Sequence, residues 1–327
     1  MTDQRPDDAP ETVCFLMISG FALMSYASAV EPLRAANRLS GRTLYRWHHA
    51  TPDGRPALSS GGLSILPDLE VGTPEGFDTL LVVAAGDAAT IDDRPIAGWL
   101  RKLAQRGVRL GGVSGGPFVL ARAGVLDGYR CTVHWDHQTA FIERFPDLDV
   151  SRALFEIDRG RFTCAGGIAG LDMMHALIAG SHGRALAASV SDWFLSTQVR
   201  SGGRPQRLEI AARYGIGDAR LLAVLARMEE SLEEPLAREE LAALAGVSIR
   251  QLERLFRSKL GFTLKDHYLR LRLDRGRALM TETSMPVSQV AVACGFLSAS
   301  HFADAFRRRF GASPSQARRG PVPADRR

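Results

Sequence analysis

The 327-residue sequence predicts two units of different kind, a doubly wound α/β unit followed by an all-α unit. Between Val13 and about Leu195, short apolar runs alternate with amphipathic stretches of helical period, the pattern of parallel strands joined by helices. After Arg207 the strand signals stop, and every remaining segment reads as helix, turn, helix. Charge divides the chain in a similar way. Ser248 to Arg319 holds fourteen Lys/Arg and five Asp/Glu, a surplus of +9, which leaves −4 for the rest of a chain whose net charge is +5. A basic block on a mildly acidic body points to a polyanion-binding module attached to something else.

Taken in order, residues 1–11, "MTDQRPDDAPE", are acidic and polar and read as a disordered tail. They lack the basic and apolar regions of a secretory signal. "TVCFLMI", "TLLVVAA" and "VRLGGVS" are β-branched or leucine-rich runs ended by Gly or Ser, as buried parallel strands are. "YASAVEPLRAANRLS" and "RPIAGWLRKLAQRG" read as helices between them, the second with Ile96, Leu100 and Leu103 on one face. "GGIAGLDMMHALIAGSHG" reads as a helix packed closely through small residues, and the whole unit is drawn over 12–195. "STQVRSGGRPQR", Ser196 to Arg207, breaks the pattern with Gly, Pro and Arg and opens a linker drawn over 196–220. The helical unit is drawn over 221–319, with 320–327 as a tail. No apolar run approaches the ~20 residues that span a bilayer. Cys14, Cys131, Cys164 and Cys294 lie far apart without a C-x-x-C pair. That spacing argues against a zinc site and a disulfide scaffold and points to a reducing cytoplasm. No metal or cofactor is expected.

The helical half contains an internal repeat. "LAALAGVSIRQLERLFRSKLG" and "VAVACGFLSASHFADAFRRRFG" each run from a small-residue helix through a Gly turn to a Ser that opens a second helix. Phe256 and Phe306 stand 50 residues apart, as do Gly261 and Gly311. Each unit reads as a helix-turn-helix, whose second helix can lie in a DNA major groove. In the first, Ser248 caps the helix and Leu252, Leu255 and Phe256 face inward, leaving Arg250, Gln251, Arg254, Arg257 and Ser258 outside. In the second, Phe302 and Phe306 face the core, leaving Ser298, Ser300, His301, Ala305, Arg307 and Arg308. Arg and Gln are side chains that reach base edges bidentately. The expected partner is double-stranded DNA.

In the first half, Gly112-Val113-Ser114-Gly115-Gly116 fits G-x-S-x-G, the pattern of a serine on a sharp strand-to-helix turn. Such a turn serves either a nucleophile or a non-covalent site, because its backbone N–H groups and the helix dipole favour a carboxylate. A third use is tight packing alone. A serine hydrolase or amidase acting through Ser114 requires an acid and then a distant histidine downstream, and His175 and His182 sit on or at the end of a packed helix. The expectation is therefore no catalytic residue.

Residues 221–319 resemble the DNA-binding domain of the AraC/XylS family, on the two repeat segments and the connecting "YLRLRLDRGRALM". The resemblance implies seven helices, with a long one over about Lys265–Thr281 holding the two units roughly one DNA turn apart. It departs at Leu264, where the family usually has Pro. It also implies a regulator with an activating sign, its partners being the operator or promoter and RNA polymerase.

"GFALMSYASAVEPLRAAN", "GGVSGGPFVLARAGVLDG" and "TVHW" resemble the class I glutamine-amidotransferase-like fold of PfpI type, a flavodoxin-like arrangement. Fused to an AraC/XylS domain, it resembles the GlxA-type regulators over about residues 12–319. Enzymes of this fold carry Cys where Ser114 stands; His134 matches the family histidine, Gly115 replaces the protease-branch histidine, and Ser25 stands where an acid is expected. The resemblance implies a homodimer and a small-molecule effector such as carnitine, glycine betaine or arginine. Ser114, Gly115 and His134 would face its carboxylate. Trp135, Phe21 or Trp47 would offer a ring to a cationic head group, each being otherwise ordinary core. Glu31 pairs either with that cation or with Arg34 on its own helix.

Overall fold

The computed structural model describes residues 9–318 except 75, 86–92, 207–209 and 284, and Glu282 by its backbone only. The expected tails lie outside the described residues, apart from positions 9–11, and Glu11 corrects that boundary: it is buried in the first strand, where it accepts from Thr79 Oγ1 at 2.7 Å and pairs with Arg109. Two compact units divide the chain, one ending at Gln206 and the other beginning at Arg207.

The first unit opens with β1 (Glu11–Met17), α1 (Leu23–Ser40), β2 (Tyr45–Thr51) and three two-residue strands, β3 (Ala57–Leu58), β4 (Ser64–Ile65) and β5 (Leu69–Glu70). β6 (Thr79–Ala84), α2 (Arg94–Gln105), β7 (Arg109–Ser114), α3 (Gly116–Arg122), β8 (Arg130–Cys131) and α4 (Gln138–Arg144) follow. β9 (Asp149–Val150), β10 (Phe155–Asp158), β11 (Arg161–Cys164), α5 (Ala169–His182) and α6 (Arg184–Trp193) complete it. Seven strands form one sheet in the order β10-β11-β7-β6-β1-β2-β5. All its pairings are parallel except the β10–β11 hairpin at one edge. The three apolar runs are the central strands β1, β6 and β7.

Burial on both faces explains why those runs are continuously apolar. Along β6, Leu80 and Val82 join a core with Trp99, Leu103, Phe118 and Leu120, whereas Leu81 and Val83 join one with Leu33, Ala36, Met173 and Ile178. Helices α2 and α3 thus cover one face and α1, α5 and α6 the other. The small residues of α5 have the expected use: a Cβ on Gly170 would lie 2.2 Å from Ser28 Oγ on α1. β2 went unpredicted because its sequence, "YRWHHAT", keeps positions 46–49 partly exposed and so lacks an apolar run.

The expected linker over 196–220 is not free chain where it is described. Arg200 donates to Asp172 through its backbone N–H (2.8 Å), Nε (2.9 Å) and Nη2 (2.6 Å). The Leu154 N–H reaches the carbonyls of Gly202 and Arg204. Gln206 Nε2 donates to Thr132 Oγ1, the Val133 carbonyl and the Ala153 carbonyl at 2.7–3.0 Å. Gly and Pro here shape a strap that crosses the α/β unit. Beyond it, Ile210, Tyr214 and Ile216 pack into the helical core, which corrects the other end of the linker.

The second unit comprises α7 (Ile210–Tyr214), α8 (Ala219–Glu230), α9 (Arg238–Leu244), α10 (Ile249–Leu260), α11 (Leu264–Glu282), α12 (Val287–Ala293), α13 (Ala299–Phe310) and α14 (Pro314–Ala317). Two cores flank α11. Leu221, Leu225, Met228, Leu252 and Phe256 build one; Val290, Phe302, Phe306 and Phe310 build the other. A Cβ on Gly276 of α11 would stand 2.6 Å from the Phe302 ring, so α11 and α13 approach as closely as glycine allows. Leu264 opens α11 without difficulty, because Thr263 caps it by accepting the Asp266 N–H at 3.0 Å.

Candidate functional site

Ser114 ends β7 at the turn into α3. Its φ of +59° puts a non-glycine residue in the left-handed region, a strained conformation that tends to occur at functional turns. The residue is 8% exposed. Gly115 has a different role from the one its sequence suggests. A Cβ there would lie 1.9 Å from the Ala85 carbonyl oxygen, so the glycine admits backbone rather than ligand. Its N–H donates to the Ala84 carbonyl at 3.1 Å, and Pro117 has no N–H to offer. The expected cradle of backbone donors is correspondingly thin.

Beside the elbow lie Ser25 of α1 and the Gly166–Gly167 turn after β11. A Cβ on Gly166 would stand 2.8 Å from both Ser114 Cβ and Ser25 Oγ. Ser25, at the position where an acid is expected, accepts the Gly167 N–H at 2.8 Å. Cys164 is fully buried; its Sγ accepts the Gly166 N–H, and burial pushes the thiol up to about 12, so it stays protonated and unreactive. Among the described residues no hydrogen bond joins Ser114 to a histidine. His134 Nδ1 instead accepts the Asp136 N–H at 3.3 Å. Burial, helped by nearby His137, lowers the His134 pKa against the opposing pull of Asp136, so the ring is neutral at pH 7.

The remaining sequence candidates separate. Phe21 is 0% exposed and packs edge-on to Tyr26 in the core, so it offers no face to a ligand. Glu31 pairs with Arg34 at 2.6 Å, which is the local alternative. Trp47 is partly buried against the same core as Phe21. Trp135 is 41% exposed, its ring centre 5.3 Å from that of His134. A polar cluster escaped sequence reading: Tyr26 Oη and His49 Nε2 are 2.8 Å apart, and Asp68 accepts the His49 backbone N–H at 2.7 Å and stands 3.4 Å from the ring Nδ1. Paired histidines in "YRWHHAT" were its visible trace.

In the helical unit, Ser248 caps α10 and Ser298 caps α13, accepting the N–H of Gln251 and His301 respectively. Arg250, Arg254, Arg257 and Ser258 are exposed on α10. Gln251 is exposed too, but its Oε1 accepts the Ser248 N–H at 2.9 Å, closing a capping box. On α13, Ser300, His301, Arg307 and Arg308 are exposed, whereas Ala305 is buried and leaves the outward set. Arg307 has Asp304 3.6 Å away on the same exposed face. Two buttresses were missed: Arg272, which grips the turn before α13, and Arg309, which pairs with Asp274. Both read as further basic surface in sequence.

Residues 11–178 match the DJ-1/PfpI family and residues 241–320 a helix-turn-helix domain. The HTH-type transcriptional regulator CdhR of Pseudomonas aeruginosa is 47% identical over 93% of this chain and 90% of its own. GlxA of Rhizobium meliloti, also an HTH-type transcriptional regulator, is 45% identical over 94% of this chain and 96% of its own. Among solved structures, an AraC family transcriptional regulator from Pseudomonas putida covers 57% of this chain and 100% of its own at 27% identity and TM-score 0.50. A ThiJ/PfpI family protein from Pseudomonas syringae shares the fold, at 21% identity and TM-score 0.52 over 75% of this chain and 97% of its own. The chain belongs to the family that joins a DJ-1/PfpI domain to an AraC-type helix-turn-helix domain, and it is a DNA-binding transcriptional regulator, not an enzyme.

Proposed function

We propose that this regulator is a cytoplasmic activator controlled by a small amine or amino-acid-like metabolite, with carnitine, glycine betaine and arginine as candidate effectors. The effector is held without a covalent bond beside the elbow, by Ser114 and the His134–Trp135 loop. The observation that carries this reading is the pairing of an exposed indole with a neutral imidazole at 5.3 Å. The indole suits a cationic head group. With Nδ1 accepting an N–H, the neutral imidazole carries its proton on Nε2, a donor for a carboxylate. The Ser114 hydroxyl adds a second donor. Phe21 and Glu31 take no part.

The effector shifts the population of DNA-competent arrangements in a homodimer joined through the α/β unit. On DNA, Arg250 and Arg254 read bases from one groove, with Ser300 and His301 doing so about 10 base pairs away. Arg257, Arg307 and Arg308 hold phosphates, and the promoter-bound protein recruits RNA polymerase. Titration of the full chain with each candidate tests the sensor. Trp135→Ala is expected to weaken glycine betaine more than a neutral isostere of similar size. Equal losses on both, or a covalent adduct on Ser114, overturn the reading.

A further inference from the structure

A cleft of about 690 Å³ lies among α2, α3 and α4, within the size range of metabolite sites. Neither Ser114 nor His134 lines it. Four arginines from three helices line it, Arg94 and Arg101 of α2, Arg122 of α3 and Arg144 of α4; Arg101 also donates from Nη1 to the Ala123 carbonyl at 3.4 Å, and Arg122 has a partner of its own. The carboxylate in the described lining is that of Asp93, and its Oδ1 accepts the Ile96 N–H at 3.1 Å as the cap of α2. Between the charges the wall is apolar, with Ile96 and Val119 buried. This grouping is not the overflow of a basic surface, because the chain outside Ser248 to Arg319 carries −4.

We propose that the cleft binds a small metabolite bearing two or more carboxylate or phosphate groups on a compact carbon skeleton, at a second site independent of the elbow. A guanidinium stays charged throughout the physiological range, and its planar fork matches either oxyanion bidentately. Several such forks in one concavity concentrate the field on an anion and repel a cation, so this site rejects the amine effectors proposed for the elbow. The apolar wall accommodates the skeleton between the anionic ends. Nothing in this assignment rests on the elbow reading.

The test is calorimetric titration of the full chain with citrate and, separately, pyrophosphate, at ionic strength matched with chloride. Because the DNA-reading face also attracts anions, two double variants are compared. Arg94→Gln with Arg144→Gln changes exposed positions of the cleft; Arg254→Ala with Arg308→Ala changes the other unit. The expected result is saturable 1:1 binding of at least one probe, weakened tenfold or more by the first pair and unchanged by the second. Binding of citrate alone assigns a carboxylate ligand, and of pyrophosphate alone a phosphate ligand; both support the site. Unaltered thermal unfolding of the Arg94/Arg144 variant without anion shows that its loss is local. Absence of saturable binding, or loss with Arg254/Arg308 instead, overturns the proposal. So does binding of a polyglutamate peptide through Arg94 and Arg144 when both small anions fail, since that makes the cleft a protein-docking surface.

Discussion

Arg272 donates from Nη2 to the Gly295 carbonyl at 2.5 Å, so the long helix α11 directly holds the turn of the second helix-turn-helix unit. Its Nε donates to the Cys294 carbonyl at 2.7 Å, and the guanidinium lies 4.2 Å from the centre of the Phe296 ring. Arg272→Met keeps much of the packing and removes both charge-assisted bonds. The expected cost is about 2 kcal/mol in chemical denaturation, from the worth of hydrogen bonds to charged groups. Operator affinity should fall with it, although no base contact is lost. An unchanged midpoint would show that the turn holds itself.

The elbow gives two opposed outcomes. Ser114→Gly relieves a left-handed φ of +59° and should stabilise the α/β unit by about 1 kcal/mol. Gly115→Val should prevent that unit from folding, because its Cβ meets the Ala85 carbonyl at 1.9 Å. Denaturation of the two variants side by side checks both signs. A folded Gly115→Val protein deficient only in effector binding would restore the glycine to the ligand site.

These glycines also show where sequence reading stops. G-x-S-x-G correctly announced a strand-to-helix turn, yet no pattern says whether a glycine makes room for a ligand or for the Ala85 carbonyl just past the end of the preceding strand. β1, β6 and β7 were legible because burial on both faces imposes continuous apolar runs, and β2 was not because half its positions are partly exposed. The strap was misread for a related reason. Gly, Pro and Arg suit a free linker and a tethered one equally, and the tether depends on Asp172 and Thr132, far away in sequence. Glu31 was easier, since its partner Arg34 is three residues along the same helix.

Tryptic cleavage after Arg200 should accordingly be slow in the native chain. Asp172→Ala removes the carboxylate that accepts three N–H groups from Arg200 and should speed cleavage there several-fold. Mass spectrometry of early fragments measures it. Equal rates in both proteins would mean that the strap is held without the ion pair.

Gln251 separates two roles by its mutant phenotype. If its chief task is the capping box with Ser248, Gln251→Ala costs about 0.5–1 kcal/mol of stability and lowers affinity for all operator variants alike. Arg254→Ala should instead cost about 1–3 kcal/mol on the operator and relax the preference at one base position. Binding to a panel of single-base operator variants distinguishes them.

Acid should weaken the helical unit through His267. The ring is 5% exposed between Tyr214 and Phe256, and burial, with Arg270 acting the same way and Glu229 against it, pushes its pKa down to about 4. The unfolded ring takes up a proton below about 6.5, whereas the folded ring does so only near the lower value. This contribution is fully present above pH 6.5 and is lost as pH falls towards 4, by up to about 1.4 kcal/mol per pH unit. Denaturation midpoints of the full chain across this range should fall less steeply in His267→Phe. Parallel slopes would remove His267 from the account.

The Gln206 amide has a mechanical meaning beyond anchoring the strap. It binds the carbonyl of Val133, the residue immediately before His134, and it is also the last residue before the chain departs for the helical unit. A rearrangement that displaces the Val133 carbonyl must either drag the departure point along or release it. One side-chain amide thus ties the loop that carries His134 to the end of the strap. If the effector sits at the imidazole as proposed, any shift it causes in the Val133 carbonyl is felt at the point where the chain leaves the α/β unit.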